Sequence, residues 1–162
     1  MADPPEQRIH WPPKFDPSRA PVHVRNELVS QGQPELVFAW LVRAVRWPEW
    51  YDNSSDVRLP ESARDLELGM QFSWRTFGVS LVSVVEELVP GQRIAWRARC
   101  FGLLAYHAWL ITPTSGGCSI LTEETQYGAL ARLGQLLMPK RMHAGHDRWL
   151  NGLDRVAKTG AP

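Results

Sequence analysis

Between Val22 and Ser30 apolar and polar side chains alternate: Val22, Val24, Asn26 and Leu28 fall on one parity and His23, Arg25 and Glu27 on the other, with Val29 out of pattern. That period of two predicts a first strand. Past Gly32-Gln33-Pro34 the period changes. Val37, Trp40, Leu41 and Ala44 recur at helical spacing, and Pro34 suits the first helical position, where its missing N–H has no partner to lose. The run closes on Trp47-Pro48-Glu49-Trp50-Tyr51, three large aromatics directly after a helix, a cluster of the kind that caps a cavity.

Six more strands are predicted at Asn53 to Leu59, Met70 to Phe77, Val79 to Val89, Arg93 to Phe101, Leu103 to Thr112 and Cys118 to Tyr127. Gly78, Pro90-Gly91, Gly102 and Pro113 to Gly117 mark tight reversals between them. Neighbours in sequence are therefore expected to pair antiparallel, as a meander of seven strands counting the first. From Ala129 to Ala157 the chain reads as one long helix, with Leu130, Leu133, Leu137, Met142, His146, Trp149 and Leu153 in its apolar stripe and a kink or break at Pro139. A sheet with one apolar face needs a second layer, which this helix supplies. The expected class is α+β, a curved antiparallel sheet wrapped around a long C-terminal helix, with a cavity where large side chains bridge the layers without filling the space.

At 162 residues the chain fits one domain, a size that buries roughly 70% of the surface its unfolded form exposes. The five prolines of residues 1–20 predict a flexible arm, followed by a domain at 21–158 and a tail at 159–162. Eighteen basic and seventeen acidic residues are spread without a run of like charge, so nucleic acid is not an expected partner. There is no signal-peptide core and no stretch near the roughly 18 apolar residues of a membrane span, which gives a cytoplasmic expectation. Two cysteines, Cys100 and Cys118, do not make a disulfide framework.

Several short stretches in this order resemble the START-like, or helix-grip, superfamily (SRPBCC), and within it the polyketide cyclase/dehydrase-like branch. They are Pro34 to Leu41, Trp47 to Tyr51, Leu68-Gly69-Met70-Gln71-Phe72, Arg93-Ile94-Ala95-Trp96, and His107-Ala108-Trp109 running through Pro113 and Gly116-Gly117 to Thr122-Glu123-Glu124. The resemblance covers about Pro21 to Ala157 and implies the helix-grip fold, with two short helices after the first strand. The superfamily hosts lipid carriers, cyclases, hydroxylase domains and protein-interaction modules, so the fold alone names no activity. Its strand order would put a whole strand between Cys100 and Cys118, and both are expected as reduced thiols.

Parity assigns faces. Ile94, Trp96, Ala98 and Cys100 oppose Arg93, Arg97 and Arg99, so Trp96 should point inward and the arginines toward water. Phe72 and Trp74 should also point inward. In the sixth strand two sets compete, and His107 and Trp109 are placed inward. In the seventh, the resemblance favours Cys118, Ile120, Thr122 and Glu124 inward, making Glu124 a buried carboxylate near the terminal helix.

The candidate acid–base residues are therefore Glu124, with its charge disfavoured by burial, and His107 across the strands from it. His143 and His146 lie three apart on the last helix, but no spacing supplies further donors, so no metal and no cofactor is assigned. Candidate ligand contacts are Trp40, Trp50, Tyr51, Phe72, Trp74, Trp96, Trp109, Tyr106, Met142, His146 and Trp149. The leading expectation is a binder of a small hydrophobic molecule, aromatic, polyketide-like or lipid-like. The alternatives are a cyclase or dehydratase working in the same cavity and a protein-interaction module. Monomer and homodimer both stay open.

Overall fold

The computed structural model of the protein describes residues 8–162. Its elements are β1 (Val22–Ser30), α1 (Pro34–Val42), α2 (Trp47–Trp50), β2 (Ser54–Arg58), β3 (Gln71–Thr76), β4 (Val79–Val89), β5 (Arg93–Cys100), β6 (Leu103–Thr114), β7 (Gly117–Tyr127), α3 (Ala129–Leu137) and α4 (Arg141–Ala157). A 3₁₀ turn at Ala44–Arg46 joins α1 to α2. The strands form one antiparallel sheet in the order β1-β7-β6-β5-β4-β3-β2. The class is the α+β helix grip.

The expected meander holds for β2 to β7 but not for β1, which pairs with β7 rather than with its sequence neighbour β2. The helices explain the difference. α1 packs on β6 and α4, and α2 on β2 and α4, so this segment carries the chain across the concave face to the opposite edge. β1 is left with an open side that β7 fills. The ladder register shifts between Ser55 and Arg58 on β2, at the sheet edge, and between Val85 and Glu87 on β4, near its centre. α4 lies in the trough, against β1, β7, α1 and α2.

Pro139 breaks the C-terminal helix outright. Without an N–H it cannot continue the ladder, and the chain restarts after Met138–Lys140 as a second helix. The stripe read as one surface thus serves two pieces. α4 buries His146, Trp149, Leu150 and Leu153, whereas α3 buries only Ala131 and leaves its leucines exposed.

Both faces of the central strands are covered, which accounts for the competing parities of β6. On the outer face a second cluster of Ala95, Tyr106 and Ala108 is roofed by Phe15, with Ile9 and Trp11 at its margin. Phe15 stacks on Tyr106 at 5.1 Å between ring centres, and its carbonyl accepts the Thr125 hydroxyl at 3.2 Å. The described part of the arm, residues 8–20, packs on the sheet through Ile9, Trp11 and Phe15. The same roof corrects Arg93, expected to face water: it is buried, with Nε 2.9 Å from Glu87 Oε1, which His10 Nδ1 of the arm also reaches at 3.0 Å. Cys100 and Cys118 are free, on β5 and β7 with β6 between them.

Candidate functional site

Alternation on β3 to β7 turns one set of side chains into the concave face, and beneath α3 they do not fill it. A cavity of about 220 Å³ remains. Its walls are apolar: Trp74, Trp96 and Leu81 from the sheet, Leu133 and Leu137 from α3, Met142 and Trp149 from α4. Trp149 is the hub of the aromatic packing, with ring centres 5.2 Å from Trp47, 5.5 Å from Trp74 and 5.0 Å from Trp109.

One wall breaks this pattern. His107 and Glu124 are direct cross-strand partners on β6 and β7, so one parity brings both inward, and α4 lowers His146 onto them. His146 Nε2 lies 3.2 Å from Glu124 Oε2, and His107 Nδ1 lies 3.4 Å from the same oxygen. Gln126 Nε2 donates to Glu124 Oε1 at 2.7 Å. His107 Nε2 is 2.7 Å from Thr122 Oγ1. All five side chains are buried.

The protonation pattern follows from these contacts. Burial drives the His107 pKa down to about 3, with the neighbouring His146 acting in the same direction and Glu124 only partly opposing, so His107 is neutral. Burial acts to raise Glu124, but the hydrogen bond from His146, the two imidazoles and Gln126 outweigh it and hold the carboxyl below its usual range. The expected disfavouring of its charge is thus reversed by donors that the parity argument did not place. An ionised carboxylate only accepts, so His146 donates through Nε2. Its Nδ1 is buried and has no hydrogen-bond partner among the described residues.

The donor atoms of His107, Glu124 and His146 lie within 4.8 Å of one another, and two imidazoles with a carboxylate are a set that takes zinc or ferrous iron. The orientation of the rings works against it. The planes of His107 and His146 are stacked at 13° with centres 4.9 Å apart, so lone pairs lying in those planes do not meet at one point until a ring turns. The arrangement suits proton exchange within a hydrogen-bonded group.

Of the residues expected at the site, Glu124, His107, His146, Met142, Trp74, Trp96 and Trp149 come together around the cavity. The others do not line it. Trp40 turns to the C-terminal tail, donating Nε1 to the Gly160 carbonyl at 2.7 Å. Tyr51 stacks against Trp149 at 4.6 Å, Phe72 packs against Trp47 and Trp96, and Trp50 and Trp109 belong to the same solid core. Tyr106 is on the outer face under Phe15. Trp47, expected in a cap, is instead the fully buried support behind Trp74 and Trp96. His143 points away from His146, with Nδ1 3.2 Å from Asn26 Oδ1. Sequence reasoning missed Gln126 and the use of α3 as a wall. Gln126 carries a signal: it continues the inward parity of Thr122 and Glu124.

Residues 21–158 match the family described as polyketide cyclase / dehydrase and lipid transport. No curated protein matches the chain. Among solved structures, the hypothetical protein jhp0584 from Helicobacter pylori is 30% identical with a TM-score of 0.88, over 97% of this chain and 99% of that one. The di-domain ARO/CYC StfQ from the steffimycin biosynthetic pathway is 18% identical with a TM-score of 0.69, over 85% of this chain and 51% of that one. TTHA0849 from Thermus thermophilus is 15% identical with a TM-score of 0.69, over 85% and 98%. The last two are similar in fold alone.

Proposed function

We propose that this chain, which belongs to the polyketide cyclase / dehydrase and lipid transport family, binds a small, mostly apolar molecule carrying a carbonyl or phenolic oxygen and exchanges a proton with it through His146. The observation that carries this reading is the buried His146–Glu124–His107 group set into the wall of an otherwise apolar cavity. A structure that needed only packing there would use aliphatic side chains, because a carboxylate without water must be held by several donors at once.

The size of the cavity bounds the ligand. About 220 Å³ falls below the roughly 300–1,000 Å³ of pockets for drug-sized molecules. One or two fused rings fit this volume better than a long acyl chain does. Trp74, Trp96 and Trp149 offer flat faces to such rings. The chemistry is that of a carboxylate-oriented imidazole: Glu124 accepts from Nε2–H, and Nδ1, closed off in this structure, takes a proton from a hydroxyl or from a carbon beside a carbonyl once local movement opens it to the ligand. With its pKa near 3, His107 is a poor base and serves to position Glu124. The acid–base role assigned from sequence to Glu124 and His107 thus moves to the histidine on α4.

Native mass spectrometry of protein from its own host, with extraction of whatever travels with it, tests the binding. Titration of tryptophan fluorescence with small aromatic ketones and phenols gives a second reading. Saturable quenching is expected. An empty protein that quenches with none of them overturns the proposal. Turnover is separated from binding by His146→Gln, which should bind the same ligand and lose deuterium exchange at its acidic position.

A further inference from the structure

We infer that α3 and the two hairpin tips beside it form a docking rim for an anionic lipid bilayer, placed so that the mouth of the cavity opens onto the membrane. The first observation is where apolar surface lies. Of the nine strongly exposed large apolar side chains among the described residues, six sit here: Phe101, Leu130, Leu133, Leu136, Leu137 and Met138. Phe101, at the β5–β6 tip, is 100% exposed, and Leu136 is 78% exposed. The two parts are contiguous, since the Leu130 amide donates to the Gly102 carbonyl at 3.0 Å. A cluster of this kind on a monomer marks a surface that meets something apolar.

Charge selects a lipid surface as the occupant. No acidic residue occurs between Glu124 and Asp147, a stretch holding Arg132, Lys140 and Arg141, all exposed. The β5–β6 hairpin adds Arg99 close to its tip, and the β3–β4 hairpin adds Arg75 close to Phe77, whose carbonyl accepts from Arg141 at 3.2 Å. Neither tip carries an acidic residue within several positions. Exposed leucines flanked only by cations describe a helix that lies in the headgroup region with its apolar side toward the acyl chains. The third observation ties the rim to the cavity. Leu133, Leu137 and Met138 are exposed and also line the pocket, so one short helix is both the outer apolar face and the inner wall. An apolar ligand passing beside α3 would meet hydrocarbon instead of water.

Vesicle flotation of the full chain without added ligand tests this, and its outcome is independent of whether a pocket ligand is found. The vesicles are phosphatidylcholine alone or phosphatidylcholine with phosphatidylglycerol. Binding to the anionic vesicles is expected to exceed binding to the neutral ones by more than about tenfold and to weaken as salt is added. Phe101→Glu with Leu136→Glu, neither of which lines the cavity, should abolish it while leaving the melting temperature and tryptophan quenching by aromatic ketones unchanged. Arg132→Gln and Lys140→Gln should each weaken it about fivefold. Absence of flotation with anionic vesicles, flotation that survives the double glutamate variant, or a dimer that this variant splits would each overturn the assignment, the last giving the face to a second copy of the chain.

Discussion

His107 and Glu124 face each other directly across β6 and β7, with Nδ1 3.4 Å from Oε2. The sheet itself therefore places a neutral imidazole and an ionised carboxylate side by side, and α4 only has to deliver the third member. Replacing Glu124 by Ala strips the acceptor from His146 and Gln126 together. Unfolding in urea should show a loss of about 3 kcal/mol, whereas Glu124→Gln, which keeps one acceptor, should lose clearly less. Equal losses in the two variants would show that the hydrogen bonds are not what holds the group.

Acid should destabilise the protein in two stages. His107 has a folded pKa near 3 against an ordinary 6.5, so its neutral form is favoured by the fold. That contribution is complete above 6.5 and declines as pH falls from there toward 3. Glu124 is lowered from 4.5, so its contribution is complete above 4.5 and declines below it. Both act in the same sense. Urea midpoints should fall from about pH 6.5 downward at up to about 1.4 kcal/mol per pH unit for one protonating site, and more steeply below about 4.5. In His107→Gln the upper stage should flatten while the lower one remains.

Two glycines of the C-terminal helices should respond with opposite signs. A Cβ on Gly152 of α4 would run into the Trp50 carbonyl, which is backbone and cannot swing away. Gly152→Ala should lower stability by about 2 kcal/mol through overpacking. At Gly134 on α3 nothing lies within 4 Å of the added carbon. Gly134→Ala should raise helix content and stability by up to about 1 kcal/mol. Circular dichroism during thermal melting reads both.

The arm should behave as part of the domain. Phe15 is 3% exposed and stacked on Tyr106. Phe15→Ala should cost about 3 kcal/mol and make residues 8–20 accessible to limited proteolysis under conditions where the parent chain resists. An unchanged melting temperature would show that the outer-face cluster does not contribute.

Legibility from sequence divides along physical lines. Period-two alternation is a local property, and it located the strands and turned Trp74 and Trp96 inward, whereas on β6 it left two sets competing for the face that His107 holds and on β7 the family resemblance, not alternation, placed Glu124. It failed where both faces of a strand are buried: β6 is buried continuously from Ala105 to Ile111, so apolar content no longer marks a side, and Tyr106 was given a cavity that it does not face. Arg93 misled for the same reason, since a charged residue under a roof of chain looks in sequence like one in water. Spacing along α4 pairs His143 with His146. The real partner of His146 comes from β7, and no pattern within the helix announces a neighbour that distant. The position of β1 was hidden likewise, because strand order depends on where two short helices carry the chain.

The pairing of β1 with β7 also governs when a usable protein comes into being. Val22 finds its mate at Gln126 and Ser30 at Cys118, so the first strand waits on the ribosome until almost everything after it has been synthesised. Closing so large a loop is entropically slow, and α4 arrives later still. A nascent polypeptide halted before β7 has neither Glu124 nor a completed trough. For this chain, arrested translation leaves nothing partly functional behind.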